Sequence, residues 1–126
     1  MINGKDEVKV NQVNDAVRRA ALIIDNTVAS SGEALVDILK ATSNRTTIYG
    51  RDNTLGCMDF SNCNKVKLAN CGIDVSVPMS RRIGLPETGI DMVGFTPDVR
   101  IDLPLPARLT DNIDEWVIWV AEQLEK

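Results

Sequence analysis

Residues 21–33 read ALIIDNTVASSGE, and this stretch decides the fold that the sequence predicts. Residues 21–24 form a continuous apolar run, which is typical of a strand covered on both faces in a parallel sheet. Residues 30–33 then open a helix, and residues 46–49 are β-branched and aromatic, which predicts a second strand. Strand, helix and strand in this order predict a βαβ unit with two parallel neighbouring strands.

Apolar spacing extends this prediction to two helices. The helix that opens at residue 30 is expected to end near residues 42–44 and to bury one apolar stripe: Ala34, Leu35, Ile38 and Leu39. A short amphipathic helix is predicted before the first strand, from apolar positions three, four and seven residues apart: Val13, Ala16, Val17 and Ala20. Residues 1–10 are polar and aperiodic, and we expect them to fray.

The second half of the chain predicts a hairpin, a short strand and a terminal helix. Alternating apolar residues around the Asn70-Cys71-Gly72 turn predict a β-hairpin with one buried face: Val66, Leu68, Ile73, Val75, Val77 and Met79. Residues 84–98 are loop-rich, and residues 99–103 predict a short strand. The terminal helix is expected within residues 107–126, with one apolar face: Ile113, Trp116, Val117, Val120, Ala121 and Leu124. Trp119 and Ile118 fall beside that face.

Length and composition exclude several classes of function. The 126 residues fit one domain, residues 1–126, of the α/β class. The formal net charge is −4, with 14 basic and 18 acidic residues, so phosphate neutralisation on a nucleic acid is not expected. The chain has no histidine, which excludes a complete Ser–His–Asp triad and zinc sites that need histidine. We expect no cofactor and no metal, and we interpret Cys57, Cys63 and Cys71 as free thiols.

Ser30 lies between the predicted strand and the predicted helix, and two interpretations of it compete. Ser30 and Glu33 have the S-x-x-E spacing of a capping box, in which the serine is only a helix cap. Alternatively, a serine at a strand-to-helix turn lies at the sheet edge where α/β folds bind ligands. The Ser31 amide at the helix N-terminus could then stabilise an oxyanion, as in a nucleophile elbow, although the G-x-S-x-G sequence is missing.

A set of motifs in fixed order supports the second interpretation. Residues 21–33 are followed by IYGR at 48–51, GCMDFSN at 56–62 and GFTPD at 94–98. Over residues 20–104 the chain resembles the tail-specific, or C-terminal processing, serine peptidases, including the tricorn-core and retinoid-binding-protein-like branches. The resemblance implies a crotonase-like or Clp-protease-like α/β scaffold, of which this chain would be the C-terminal half.

The resemblance also implies roles for single residues. Ser30 takes the place of the nucleophile, and Ser31 that of an oxyanion amide. Cys57 stands where the processing-peptidase branch has its lysine base. Because a neutral thiol cannot replace that amine, the sequence argues against a Ser–Lys dyad. The tricorn-like branch instead uses a histidine from an upstream half and an acid, whose place Asp91 takes. The isolated chain is then expected to be inactive.

The resemblance further implies a peptide or unfolded protein as substrate and the upstream half of the same polypeptide as partner. The family implies a periplasmic, secreted or surface-anchored location, although residues 1–6 lack the apolar core of a secretory signal. Exposed apolar surface on a half-domain predicts self-association, through the helix that carries Trp116 and Trp119 or through an uncovered sheet edge. A non-catalytic binding module on the same scaffold is the alternative, and an acyl-CoA enzyme of the crotonase type is disfavoured by the nucleophilic serine.

Overall fold

The computed structural model describes residues 18–83, 89–105 and 114–126. Within these ranges the chain forms five strands and two helices. In chain order they are β1 (Ala20–Ile24), α1 (Ser31–Thr42), β2 (Thr46–Gly50), β3 (Phe60–Lys67), β4 (Asp74–Arg81), β5 (Val99–Arg100) and α2 (Glu115–Glu125). Within the same ranges, no helix has both the length and the apolar character needed to cross a membrane.

A parallel three-stranded sheet with the order β1-β2-β5 confirms the predicted βαβ unit. Leu22 pairs with Ile48 and Ile24 with Gly50, while β5 adds to the other side of β2 through Tyr49 and Val99. The predicted upstream helix is wrong at its last position, because Ala20 is the first residue of β1. Its other positions lie outside the described residues, as do residues 1–10.

The two helices cover opposite faces of the sheet. Neighbouring residues of a strand point to opposite faces, so Ile48 and Tyr49 of β2 belong to different cores. Ile48 packs with Ile24 and with Val36 of α1. Tyr49 packs with Ile101 and with two residues of α2, Trp116 and Val120. The continuous apolar run of β1 is therefore explained by a sheet that is buried on both sides.

The buried stripes of both helices differ from the predicted ones. In α1 the fully buried residues are Glu33 and Val36, whereas Leu35 and Ile38 are about half exposed, at 46% and 53%. In α2 the face is rotated towards Trp119, whose ring meets Tyr49 edge-on at 6.1 Å between centroids. Val117 and Ala121 are exposed instead. The buried residues that pack against the sheet are Val36 of α1 and Trp116 and Val120 of α2, so each helix meets it along a narrower line than the apolar pattern predicts.

The hairpin forms as predicted, but its apolar face is not buried. Strands β3 and β4 pair antiparallel, with Val66 opposite Val75 and Phe60 opposite Arg81. Val75, Val77 and Met79 are 40%, 42% and 67% exposed. The predicted burial is wrong because β3 and β4 contact chiefly each other, so no described element covers the apolar face.

The predicted strand at residues 99–103 is shorter, as β5 covers only Val99–Arg100. Ile101 continues the ladder with one hydrogen bond from its N–H to Gly50 O (3.0 Å). The terminal helix starts after Asp114, whose side chain accepts a hydrogen bond from the Val117 N–H at 2.9 Å. Positions 107–113 of the predicted helix range lie outside the described residues.

Asp98 connects the loop before β5 to helix α1 and to strand β2. Its carboxylate accepts hydrogen bonds from Lys40 Nζ of α1 (2.8 Å) and from the Ile48 N–H of β2 (2.9 Å). Burial raises the pKa of the Asp98 carboxyl, but the hydrogen bonds from Lys40 and Ile48 and the Lys40 charge outweigh burial. The pKa therefore lies below its usual value of 3.8.

This shift predicts the pH dependence of folding stability. A carboxyl with a lower pKa in the folded chain contributes stability that is complete above its unfolded pKa, about 3.9, and is lost as the pH falls through the folded pKa. We expect Asp98→Asn to lower the free energy of unfolding by on the order of 1 kcal/mol at neutral pH, and by less below pH ~4. Urea unfolding across this pH range measures the difference.

Asp102→Asn is the matched control, because it removes one exposed carboxylate that has no hydrogen-bond partner among the described residues. It should change stability little at any pH. If the two variants behaved alike, the assigned role of Asp98 would be wrong.

Candidate functional site

The turn between β1 and α1 holds Ser30 in an uncommon backbone conformation. Asp25 starts this turn, since its Oδ1 accepts hydrogen bonds from the Thr27 N–H (2.8 Å) and hydroxyl (2.6 Å). Ser30 then has φ +50° and ψ −105°, and α1 begins at the next residue. Positive φ is rare for a residue other than glycine and costs on the order of 1–3 kcal/mol. Such strain persists only where neighbouring contacts fix the backbone.

Glu33 provides those contacts. Its side chain is completely buried, and its carboxylate accepts four hydrogen bonds. Oε2 accepts from the N–H groups of Ser30 (3.1 Å) and Cys57 (2.9 Å). Oε1 accepts from the Thr54 hydroxyl (2.7 Å) and the Gly56 N–H (2.6 Å). The glutamate thus caps α1, as the S-x-x-E spacing predicts, and also ties the helix to residues 54–57.

The first turn of α1 leaves room for a ligand beside Ser30. Ser31 occupies the first helical position, where the N–H has no acceptor within the helix. The Gly32 N–H donates to Ala29 O (2.9 Å). A Cβ at Gly32 would lie 2.8 Å from Val28 Cγ1, so a larger residue there would have to displace the Val28 side chain. The Ser31 N–H has no hydrogen-bond acceptor among the described residues, so it is available to a ligand at the start of the helix.

Ser30 and Ser31 line a cleft of about 370 Å³. This volume lies in the range of small-ligand sites, roughly 300–1,000 Å³. Its walls come from the start of α1, residues 57–58 and the base of the hairpin. The lining residues are Ser30, Ser31, Ala34, Cys57, Met58, Phe60, Ser61, Ser80, Arg81 and Arg82.

A second buried carboxylate holds the loop that precedes β5. Asp59 accepts hydrogen bonds from the N–H groups of Ile90 (2.9 Å) and Asp91 (3.1 Å). The contact is reciprocal, because Asp91 Oδ1 accepts a hydrogen bond from the Asp59 N–H (2.9 Å). The structure therefore gives Asp91 a place in this loop contact, and Asp91 is not among the residues that line the Ser30 cleft.

Two glycines allow these loops to lie against each other. Gly56 and Gly94 have φ +75° and +71°. A Cβ at Gly56 would lie 2.5 Å from Ile90 O, and one at Gly94 would overlap Thr54 O. The close contact of the two loops fixes the backbone that carries Cys57 into the cleft.

The three cysteines are free and exposed, and Cys57 alone among them lines the cleft. Cys57 and Ser30 line the same cleft, so the structure brings a thiol into the cleft that contains the Ser30 hydroxyl. In the described part of the chain, no group of histidine, cysteine, aspartate and glutamate side chains could hold a metal ion.

Sequence reasoning singled out Ser30, Ser31, Glu33 and Cys57 but did not predict the other residues that line the cleft. Arg81 and Arg82 carry the signal of an adjacent basic pair, which on its own is ordinary surface chemistry. Only the fold of the hairpin brings them to the cleft. Asp59 and Thr54 have no recognisable pattern in the sequence, because the backbone N–H groups that donate to them, those of Ile90 and Phe95, lie about 30 to 40 residues away.

The four hydrogen bonds of Glu33 predict a large effect of a small change. Glu33→Gln replaces one accepting oxygen by an NH₂ group, which would face donors in the same buried space. We expect the free energy of unfolding to fall by about 2–4 kcal/mol, because buried donors lose their acceptor. Chemical denaturation followed by circular dichroism measures this loss.

Glu122→Gln on the exposed side of α2 is the control and should have a stability close to that of the unchanged chain. Equal stability of Glu33→Gln and Glu122→Gln would show that Glu33 does not hold the turn.

Comparison of the chain with models of known protein families, with curated proteins and with solved structures found no match. Support for a function of the cleft therefore comes from the geometry and the chemistry of its own residues and from the motifs of the sequence.

Proposed function

We propose that this chain forms part of the catalytic domain of a serine peptidase and that Ser30 is the nucleophile. The backbone conformation of Ser30 carries the proposal. A strained, exposed serine between a buried parallel strand and a helix N-terminus has the position of a nucleophile elbow, where the turn presents the hydroxyl to a cleft. A serine that served only as a helix cap would not need positive φ, because N-cap residues ordinarily adopt extended backbone angles.

The reaction that fits this arrangement is acyl transfer. Ser30 Oγ attacks the carbonyl carbon of a peptide bond, and its proton passes to a general base. The carbonyl oxygen becomes an oxyanion, which the Ser31 N–H stabilises by a hydrogen bond at the start of α1. The C–N bond then breaks, the leaving amine takes the proton from the base, and water hydrolyses the acyl-enzyme.

The general base is proposed to come from polypeptide outside this chain. The chain has no histidine, and the cleft is lined by no lysine, aspartate or glutamate among the described residues. An arginine stays protonated and cannot accept the serine proton. Asp91 is proposed as the acid of the site, and because its carboxylate lies outside the cleft lining, it would act by positioning that external base.

The remaining parts of the proposal follow from the same family resemblance. The chain is proposed to be the C-terminal half of a crotonase-like or Clp-protease-like domain, with the upstream half as its partner. Peptides or unfolded proteins are the proposed substrates, and the proposed location is the periplasm, the exterior or the outer surface of the cell. The mixed α/β fold with its parallel sheet is compatible with this scaffold.

A fluorophosphonate probe tests the nucleophile directly, because it reacts with activated serine hydroxyls. In the full-length protein we expect labelling that Ser30→Ala abolishes and that Ser80→Ala, a serine in the same cleft, retains. Peptide mapping of the labelled site is the measurement. Labelling of Ser30→Ala as strong as that of the unchanged protein would disprove the nucleophile assignment.

The chain of 126 residues on its own should label no more than a denatured sample, since it lacks the proposed base. Strong labelling of this chain would contradict an external base. A full-length protein that is never labelled would favour the alternative function, a binding module that retains the scaffold.

Self-association of this chain is a further part of the proposal, and the structure suggests a surface for it. Trp116 is buried and Trp119 packs on Tyr49, so the tryptophans of α2 offer little free surface. The apolar face of the hairpin is exposed instead, including Val77 and Met79. Light scattering should give a mass above that of a monomer at high concentration. Val77→Thr with Met79→Thr should reduce it, and Ile118→Thr on α2 should not.

A further inference from the structure

The Ser30 cleft is positively charged in a chain that is acidic overall. Arg81 and Arg82 both line it, and no aspartate or glutamate does so within the described residues. The whole chain has a formal net charge of −4. Positive charge is therefore concentrated at the cleft, where it would attract an anionic group.

The Arg82 guanidinium is less available to an anionic ligand, because it already forms an ion pair with Asp37. Its Nη2 donates to Asp37 Oδ2 of α1 at 2.8 Å, and its Nη1 lies 3.4 Å from Met58 Sδ. Its backbone N–H donates to Asp59 O at 2.9 Å. Arg82 thus fastens the end of β4 to α1 and fixes the position of its neighbour.

Arg81 has no carboxylate within ion-pair distance among the described residues, and it is held by an aromatic ring. Its guanidinium carbon lies 5.9 Å from the centroid of the Phe60 ring, and the two residues pair directly across the hairpin. Contact with the ring face leaves the N–H groups at the edge of the guanidinium free to donate. A guanidinium in this arrangement binds a carboxylate through two parallel hydrogen bonds.

The serine hydroxyls beside Arg81 add polar character without negative charge. Ser61 and Ser80 pair across the same strands with their Oγ atoms 2.8 Å apart, and both line the cleft. A peptide that entered the cleft would therefore meet a cationic, hydroxyl-lined wall on the hairpin side and Ser30 with Ser31 on the helix side.

We propose that the cleft selects peptides that have an aspartate or glutamate side chain close to the bond presented to Ser30, and that Arg81 binds this carboxylate. The inference rests on the proposed peptidase function, for which it names the substrate class. Arg81 is then a specificity-determining residue, and Arg82 is a positioning residue that acts through it.

Binding can be measured without cleavage in full-length protein that carries Ser30→Ala. The probes are fluorescent peptides in matched pairs, one pair with glutamate or glutamine at the same position and one with a free or amidated C-terminus. Fluorescence anisotropy should show the glutamate peptide binding about tenfold more tightly than the glutamine peptide. This preference should decrease with added salt, which screens the ion pair.

Arg81→Gln should remove the preference for glutamate, and Arg81→Lys should restore part of it. Lys65→Gln is the matched control, because it removes one positive charge from the same hairpin outside the cleft. It should leave the preference unchanged. Circular dichroism of each variant shows whether the hairpin variants fold.

The outcomes separate this inference from the proposed function. Fluorophosphonate labelling at Ser30 with equal binding of the glutamate and glutamine peptides would overturn the inference and leave the peptidase intact. A glutamate preference that depends on Arg81, without any labelling of the unchanged protein, would support the carboxylate site and overturn the peptidase. Binding that is sensitive only to C-terminal amidation would overturn the side-chain assignment.

Discussion

The buried carboxylate of Glu33 is the interaction on which the rest of the structure depends. Removing a carboxylate from water costs several kcal/mol unless donors replace its hydration. Here the backbone amides of Ser30, Gly56 and Cys57 and the Thr54 hydroxyl do so, and the charge lies at the N-terminal end of α1, where the helix dipole favours it. Because the four donors come from two distant segments, the carboxylate is stable only when both are in place. The same contact therefore stabilises the fold and defines one wall of the cleft.

The strained backbone of Ser30 is stabilised by the same buried carboxylate of Glu33. The positive φ of Ser30 is unfavourable on its own, and the hydrogen bond from its N–H to Glu33 is one of the contacts that offset it. Asp59 acts in the same way on the loop before β5, since its buried carboxylate accepts hydrogen bonds from two backbone N–H groups of that loop. Together the two carboxylates make a rigid support out of segments that have no regular secondary structure. A nucleophile benefits from such a support because its position is fixed before the substrate binds.

The sequence predicts the regular elements of this fold and little of what connects them. Strands β1 and β2 are predictable because residues 21–24 and 46–49 are apolar or β-branched, and a strand that is buried on both faces needs such a run. The alternation at residues 73–79 predicts the hairpin for the same local reason. It could not predict that the apolar face stays exposed, since burial depends on whether another element covers it. The hydrogen bonds from Thr54 and Gly56 to Glu33, and the position of Arg81 at the cleft, depend on contacts between distant parts of the chain that leave no periodic pattern.

A capping box and a nucleophile are usually alternative explanations of an S-x-x-E sequence, but the contacts of Glu33 allow the proposed nucleophile and the cap to coexist. Glu33 uses one oxygen for the Ser30 N–H and still has capacity for three donors from residues 54–57, so its role goes beyond that of a cap. Ser30, in turn, is exposed and lines the cleft, while its backbone N–H donates a hydrogen bond to the buried Glu33 carboxylate. What the cleft then lacks, among the described residues, is a histidine, lysine, aspartate or glutamate that could serve as the general base, since arginine is the only charged residue type in its lining. A cationic wall stabilises a developing oxyanion or a bound carboxylate but cannot deprotonate a serine, and for this reason the proposed chemistry needs a base from another part of the polypeptide.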